Sequence, residues 1–273
     1  MRWINRRPGR PLLFVLAALP FVLTLLAYVV GSDIRRSANP NDKLLPALEK
    51  VVERAEALAT EPDRRSGEIL LWKDTAASLQ RLVIGVACAA AIGLAFGLLI
   101  GLFPLARATL ASYAAALSLI PPLALLPVLF LVFGLGETSK IVLIAIGITP
   151  FLIRDLGQRV LEIPLEQLVK AQTLGASSWQ IMTRVALPQL APRLIQAVRL
   201  SLGPAWLFLI ASEAIAAQAG LGYRIFLVRR YLAMDIIIPY VLWITVLAFL
   251  IDWSLRLTSR RAFRWAHVDG ESL

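Results

Sequence analysis

Long apolar runs alternate with short polar segments along the chain, and the runs are longer than the core of a soluble domain requires. About 20 apolar residues in helical form cross ~30 Å of hydrocarbon. On that measure six segments predict membrane spans: 11–30, 78–103, 110–133, 140–153, 194–217 and 236–255. The fourth is short and borrows from the Leu135 side. The first follows Arg2, Arg6, Arg7 and Arg10, as a signal peptide would, so a cleaved leader and an uncleaved span are both open. Its end, Ala-Tyr-Val-Val-Gly-Ser-Asp, matches a cleavage site poorly and favours the span. In the second span Gly93, Gly97 and Gly101 share one helix face, where small residues let two backbones approach closely. The third contains Pro121, Pro122 and Pro127 and must bend, with the freed carbonyls facing protein or water.

Segment 31–74 predicts a further helix outside the spans. After Asn39-Pro40-Asn41-Asp42, the residues Leu44, Leu48, Val51, Val52, Ala55, Leu58 and Ala59 recur at helical spacing. Glu49, Lys50, Glu53, Arg54 and Glu56 occupy the other face, and Pro62, Asp63, Ser66 and Gly67 then read as a loop. Such a helix either packs on the spans and headgroups or docks an external partner.

Composition agrees with a multi-span membrane protein. Of 273 residues, 58% are hydrophobic and 17% charged, against ~25% charged in soluble domains. Disorder is excluded and an ordinary soluble enzyme disfavoured. The net charge of +10, from 28 Lys+Arg against 18 Asp+Glu, is unevenly placed. With the N-terminus inside, segments 1–10, 104–109, 154–199 and 256–273 are internal and hold 15 basic and 5 acidic residues. Thirteen of each remain elsewhere. That asymmetry predicts both termini in the cytoplasm, with 1–10 and 266–273 as tails. Arg224, Arg229 and Arg230 are an external exception, either an attractor for an anion or acidic binding protein or a solvated loop.

Chemistry-bearing residues are few. Cys88 alone allows no intrachain disulfide, and a single histidine, His267, makes no metal set, so neither metal nor cofactor is expected. Glu213, beside Ser212 near the outer end of span five, reads either as lining an outer gate or as a paired carboxylate. Asp252 stands four residues before Arg256 at ion-pair spacing, and Arg154-Asp155 reads as a local pair. Trp72, Trp243, Trp253 and Trp265 suit interfacial anchoring.

The most informative stretch, 162–192, is too polar to span. Glu162-Ile163-Pro164 starts a helix whose face carries Leu165, Leu168, Val169 and Gln172 to Leu174. Gly175 stands at the helix C-cap. Ser177 or Ser178 caps a second helix, from Trp179 through Ile181, Met182 and Val185, that stops near Leu187-Pro188. Two short helices with a glycine hinge can push or be pushed; they can also simply lie on the inner surface.

The run Ala171-Gln172-Thr173-Leu174-Gly175-Ala176-Ser177-Ser178-Trp179, continuing through Val185-Ala186-Leu187-Pro188, resembles the cytoplasmic loop of ABC-importer permeases. That pattern is Glu-Ala-Ala, three residues, Gly, nine residues, Ile, one residue, Leu-Pro, and here Gly175 to Pro188 keep its spacing. The acidic position falls on Val169, with Lys170 after it and Glu166 one turn earlier. Four further runs resemble the nitrate/sulfonate/taurine group of these permeases: 75–82, Ile120-Pro121-Pro122 with Pro127, 133–140, and Gly220-Leu221-Gly222-Tyr223.

The resemblance covers 75–265 and implies an all-α membrane protein with six transmembrane helices, the type I ABC importer transmembrane domain with a cytoplasmic coupling helix. It implies a transport subunit in the bacterial inner membrane, working as a homodimer. The partners it implies are cytoplasmic ABC ATPases and a periplasmic binding protein that delivers a small polar solute. The coupling loop would comprise Glu166, Lys170, Ala171, Leu174, Gly175, Ala176, Ser177, Trp179, Val185, Leu187 and Pro188, and Pro121, Pro122, Ser212 and Glu213 are path or gate candidates. The chain carries no phosphate-binding Gly-rich loop with Lys-Ser/Thr, so ATP hydrolysis belongs to a separate chain. The alternative, a secondary transporter without an ATPase, predicts repeated halves and a buried ion site.

Overall fold

The computed structural model describes residues 9–39, 43–64 and 66–266. The tail 1–8, the Pro40–Asp42 part of the expected turn, and 267–273 with His267 lie outside the described residues. Among the described residues the chain is helical without strands: α1 (Arg10–Ala38), α2 (Leu48–Thr60), α3 (Leu70–Leu102), α4 (Pro104–Leu117), α5 (Leu126–Phe133), α6 (Glu137–Leu161), α7 (Leu165–Thr173), α8 (Ser178–Gln180), α9 (Leu187–Ala216), α10 (Leu221–Arg229) and α11 (Met234–Ala262). The chain divides into two units, residues 1–69 with 228–241, and residues 70–227 with 242–273.

In the first unit α1 leaves Phe14, Phe21, Leu23 and Ile34 exposed, as a helix solvated by lipid does. Tyr28 donates its hydroxyl proton to the Pro46 carbonyl (2.7 Å) and Ser32 Oγ donates to the Leu45 carbonyl (3.0 Å), which pins the entry of α2. The expected amphipathic helix is α2: Val51 is buried and Leu48 and Val52 are exposed.

The second unit is built on a seam between α3 and α6. Every fourth residue of α3 on this face, from Gly85 through Ala89, Gly93 and Gly97 to Gly101, is glycine or alanine. A Cβ at Gly85 would lie 2.8 Å from Ile144 Cβ, at Gly93 2.6 Å from Leu152 Cβ, at Gly97 2.7 Å from Leu156 Cβ, and at Gly101 against Val160. The α6 side of the seam is thus also spaced by four, and Ile144, Ile148, Leu152, Leu156 and Val160 are at most 2% exposed. Close backbone approach supplies the packing that lipid-solvated helices cannot obtain from the hydrophobic effect.

These pairings rise together, so α3 and α6 run in the same direction. The chain must therefore return from the Gly101 end of α3 to the Arg81 end before α6 begins. Twenty residues of helix separate those points, about 30 Å, which is one hydrocarbon thickness. The return is made by α4 and, through a 3₁₀ turn (Pro122–Leu125), α5, bent by 81°. Among the described residues five helices are long and apolar enough to span singly, and counting the bent pair as one span gives six. The bend falls at Pro121 and Pro122, where the missing N–H groups end α4's ladder. Arg107 closes the α3–α4 reversal by donating to the Ile100 (3.0 Å) and Gly101 (2.5 Å) carbonyls.

The short fourth span is in fact 25 residues, Glu137–Leu161. Its polar ends read as lying outside the membrane segment because their charges find partners within the protein: Lys140, 2% exposed, lies 3.1 Å from Glu137. Of the expected charge placements, the Asp252–Arg256 ion pair is present with a closer partner added, and the other two change. Asp252 is held by Arg199 of α9 through two bonds of 2.7 and 2.9 Å, and Arg256 stands at 3.9 Å. Adjacent helical residues do not face each other, so Arg154 bonds Ser118 and Asp155 turns to Arg159 at 3.8 Å. Arg224 is no part of a solvated patch, since it binds Asp74 at 2.8 Å.

Candidate functional site

Two places in the second unit concentrate polar chemistry. The first lies where α3, α6 and the end of α9 meet. Asp74, Ser78 and Arg81 recur at helical spacing on one face of α3 and are at most 4% exposed. Arg81 forks between two carboxylates: Nε and Nη2 bind Glu137, the latter at 2.9 Å, and Nη1 binds Glu213 Oε1 at 2.6 Å. Nη1 also donates to the Ala219 carbonyl at 2.8 Å. Glu213, fully buried, accepts further bonds from Ser78 Oγ (2.7 Å) and the Gly222 N–H (2.8 Å). The N–H of Gly220 binds Asp74 Oδ1 (2.9 Å) and that of Leu221 binds Ser78 Oγ (2.9 Å). Three carboxylates, Asp74, Glu137 and Glu213, thereby face three cations, Arg81, Lys140 and Arg224. Buried ions persist only when paired and bonded in this way.

The cluster explains the Gly220-Leu221-Gly222 motif. Gly220 has φ +135°, and a Cβ there would lie 2.5 Å from Glu213 Cδ and 2.7 Å from Arg81 Nη1. At Gly222 a Cβ would lie 2.7 Å from the Ile210 carbonyl oxygen. The loop after α9 can lie directly on the ion pairs because Gly220 and Gly222 carry no Cβ to hold it off. Trp243 adds a strap from α11, donating to Thr75 Oγ1 at 2.9 Å and meeting Trp72 edge to face. Ser212 and Glu213 are both fully buried, so neither side chain is open to a solute in this conformation. The sequence reasoning quoted Ser78, Arg81, Glu137, Lys140 and Gly220 only as parts of the runs 75–82, 133–140 and 220–223, gave none of them a role, and passed over Asp74. The available signal was an Asp, a Ser and an Arg on one face of an otherwise apolar helix.

The second place is the loop at the opposite end of α6. α7 ends in a Schellman turn: Gly175 has φ +82°, its N–H binds the Gln172 carbonyl at 2.9 Å, and the Ala176 N–H binds the Ala171 carbonyl at 3.0 Å. A capping box follows, with Ser177 Oγ accepting from the Gln180 N–H (3.3 Å) and Gln180 Oε1 accepting from the Ser177 N–H (2.8 Å). The second helix does not stop near Leu187-Pro188. A π-helical turn, Ile181–Ala186, carries it into α9, and together Ser178–Ala216 form one helix of 39 residues. The wider turn accommodates Pro188: the last π bond, from the Leu187 N–H to the Met182 carbonyl, precedes the residue that has no N–H to give.

The base of this loop is fixed. Ile163, Ala186 and Leu190 are buried with Leu98, Leu156 and Val160, and Leu168, Met182 and Leu187 pack on them. Gln189 Nε2 bridges to Gln167 Oε1 at 3.1 Å. The tip is bare: Leu165 is 69%, Val169 46%, Leu174 87% and Trp179 68% exposed. Glu166, Lys170, Gly175, Ser177 and Pro188 are also exposed, and Ala171, Ala176 and Val185 are half-buried. Val169, where the related pattern has an acid, extends the apolar surface.

Among the described residues, helices long and apolar enough to cross a membrane, one pair of them broken, carry a polar loop with an apolar tip, the architecture of a multi-span membrane domain. Residues 64–264 match the family described as binding-protein-dependent transport system inner membrane component, and the chain belongs to that family. It is the permease subunit of an ABC importer. It is 35% identical over 195 residues to the taurine transport system permease protein of Escherichia coli K12, covering 71% of each chain. It is 33% identical over 225 residues to the putative aliphatic sulfonates transport permease protein of the same organism, covering 82% of each. The inward-facing MetNI methionine ABC transporter has a chain of similar fold, with TM-score 0.62 at 24% identity, covering 70% of this chain and 95% of that one.

Proposed function

We propose that this subunit, as a homodimer in a bacterial inner membrane, forms the path for a small polar solute of the nitrate, sulfonate or taurine kind. A binding protein on the outer side delivers the solute, and a cytoplasmic ATPase drives it inward. The loop from Leu165 to Pro188 is the coupling element, seated on the ATPase by Leu165, Val169, Leu174 and Trp179. The observation that carries this reading is the contrast within the loop, an exposed apolar tip on a base locked into the core. An apolar patch outside the membrane marks a protein contact, and a locked base transmits force instead of absorbing it. In this orientation the charged cluster around Arg81 lies at the outer face.

The test is purification of tagged chain in mild detergent from its native membrane. Wild-type chain is expected to bring down a stoichiometric ATPase. Leu174→Asp with Trp179→Asp is expected to lose at least about tenfold of it, since desolvated apolar anchors dominate such contacts, while the chain stays monodisperse. A stable wild-type assembly without ATPase, or a variant that keeps it, overturns the coupling role. Reporters inserted after Thr60 and after Thr173 are expected on opposite sides of the membrane. The same side for both overturns the orientation.

A further inference from the structure

The segment from the end of α4 through the 3₁₀ turn bounds a cleft of about 700 Å³ against α6 and α9, with Ser118, Phe151, Arg154, Asp155, Gln158 and Phe208 on its walls. Irregular backbone at membrane depth is tolerated only where it is covered by protein or lines water. Arg154 stands seven residues before the end of α6, about 10 Å along the axis, and is exposed to this cleft. The other charged side chains of α6 have opposite partners: Glu137 with Arg81 and Lys140, Asp155 with Arg159. Arg154 has none among the described residues. Its Nη1 donates to Ser118 Oγ at 2.8 Å, and the Ser118 hydroxyl in turn donates to the Ala115 carbonyl at 2.7 Å. The serine thus orients the guanidinium and leaves most of its N–H donors unused.

We propose that this cleft is a solute subsite and that Arg154 binds an oxyanion group there, the inference resting on the transporter reading above. An unpaired arginine inside a span is costly and marks a water-filled path. Its planar donor fork matches a sulfonate, nitrate or carboxylate, and a lysine point charge matches it less well. Gln158, one helical turn beyond Arg154, adds amide donors, and Phe151 and Phe208 offer apolar wall to the body of the solute. Ser118 is a positioning residue, acting through the arginine.

The test needs no knowledge of the natural solute. In the complete complex, with Cys88→Ser, the substitution Gln158→Cys supplies one thiol in the cleft. It is labelled with anionic sulfonatoethyl methanethiosulfonate and with cationic trimethylammonioethyl methanethiosulfonate. The ratio of the two rates is expected to favour the anion. Arg154→Gln should lower that ratio by on the order of tenfold, and Arg154→Lys should keep most of it. A ratio unmoved by Arg154→Gln overturns the proposal, as does a thiol that neither reagent reaches until the protein is denatured. Repeating the labelling in nanodiscs separates a free oxyanion from a lipid phosphate: equal ratios in neutral and anionic lipid support the proposal, and collapse in anionic lipid overturns it. ATP-driven uptake of taurine, ethanesulfonate and nitrate in proteoliposomes tests the transporter reading separately. Absence of ATP-driven uptake by wild type counts against that reading and leaves the labelling ratio to decide the cleft. Where wild type does transport, Arg154→Gln is expected to cut uptake at least about tenfold, and unchanged uptake overturns the role of Arg154.

Discussion

Glu213→Ala is expected to destabilise the subunit by about 3–5 kcal/mol, the usual cost of removing one member of a buried ion pair. Thermal unfolding of the detergent-solubilised chain, followed by loss of the monodisperse peak, measures it. The cost arises from what stays behind. Arg81 keeps one carboxylate, Glu137, whose side chain is 60% exposed, and inside the bundle its Nη1 keeps the Ala219 carbonyl but loses its counter-ion. Ser78 Oγ loses the acceptor of its proton, and the Gly222 N–H is left buried without its carboxylate. Glu213→Gln keeps the shape and an acceptor for Gly222 and is expected to fall between wild type and alanine. Arg81→Met combined with Glu213→Leu is expected to cost less than the sum of the single changes, because neither charge is then stranded. Additive costs would show that the two side chains act independently.

The second large effect concerns the α3–α6 seam. Gly97→Ala places a methyl 2.7 Å from Leu156 Cβ and 3.3 Å from the Gly157 backbone nitrogen, so the helices must move apart. Such overpacking costs about 1–3 kcal/mol, and Gly97→Leu is expected to exceed that range and to abolish recovery of folded chain. Gly203→Ala in α9 is the control, since its methyl meets nothing within 4 Å in the protomer. Equal recovery of the Gly97 and Gly203 variants would contradict the close approach.

The seam was legible because it obeys one local rule. Glycines four apart share a face whatever the rest of the chain does, and the partner face was the only unknown. The loop was equally legible up to Ser177, since a glycine C-cap and a serine N-cap are local chemistry. Its continuation past Pro188 was not, because a π turn depends on bonds that spacing does not reveal. The ion-pair cluster was invisible for another reason. Asp74, Glu137, Glu213 and Arg224 are far apart in sequence; Asp74, Glu137 and Arg224 taken alone read as surface or interfacial charges, and Glu213 as a gate-lining or paired carboxylate whose partner the spacing does not name. The quoted runs at 75–82, 133–140 and 220–223 contain most of its members, yet nothing local says that the three runs converge. Arg154 was misread from its neighbour: Asp155 is adjacent in sequence but turned about 100° around the helix.

The continuity of Ser178–Ala216 has a mechanical consequence. One helix reaches from the exposed Trp179 to the buried Glu213, and on it Phe208 covers Gly147 of α6. Ala186 and Leu190 of the same helix are seated in the core with Leu156 and Val160 of α6, so the two helices are joined at both places. A load placed at the tip is therefore carried by both helices over about 50 Å of axis, and it reaches the ion pairs as a movement of the pair rather than as a swing of one helix.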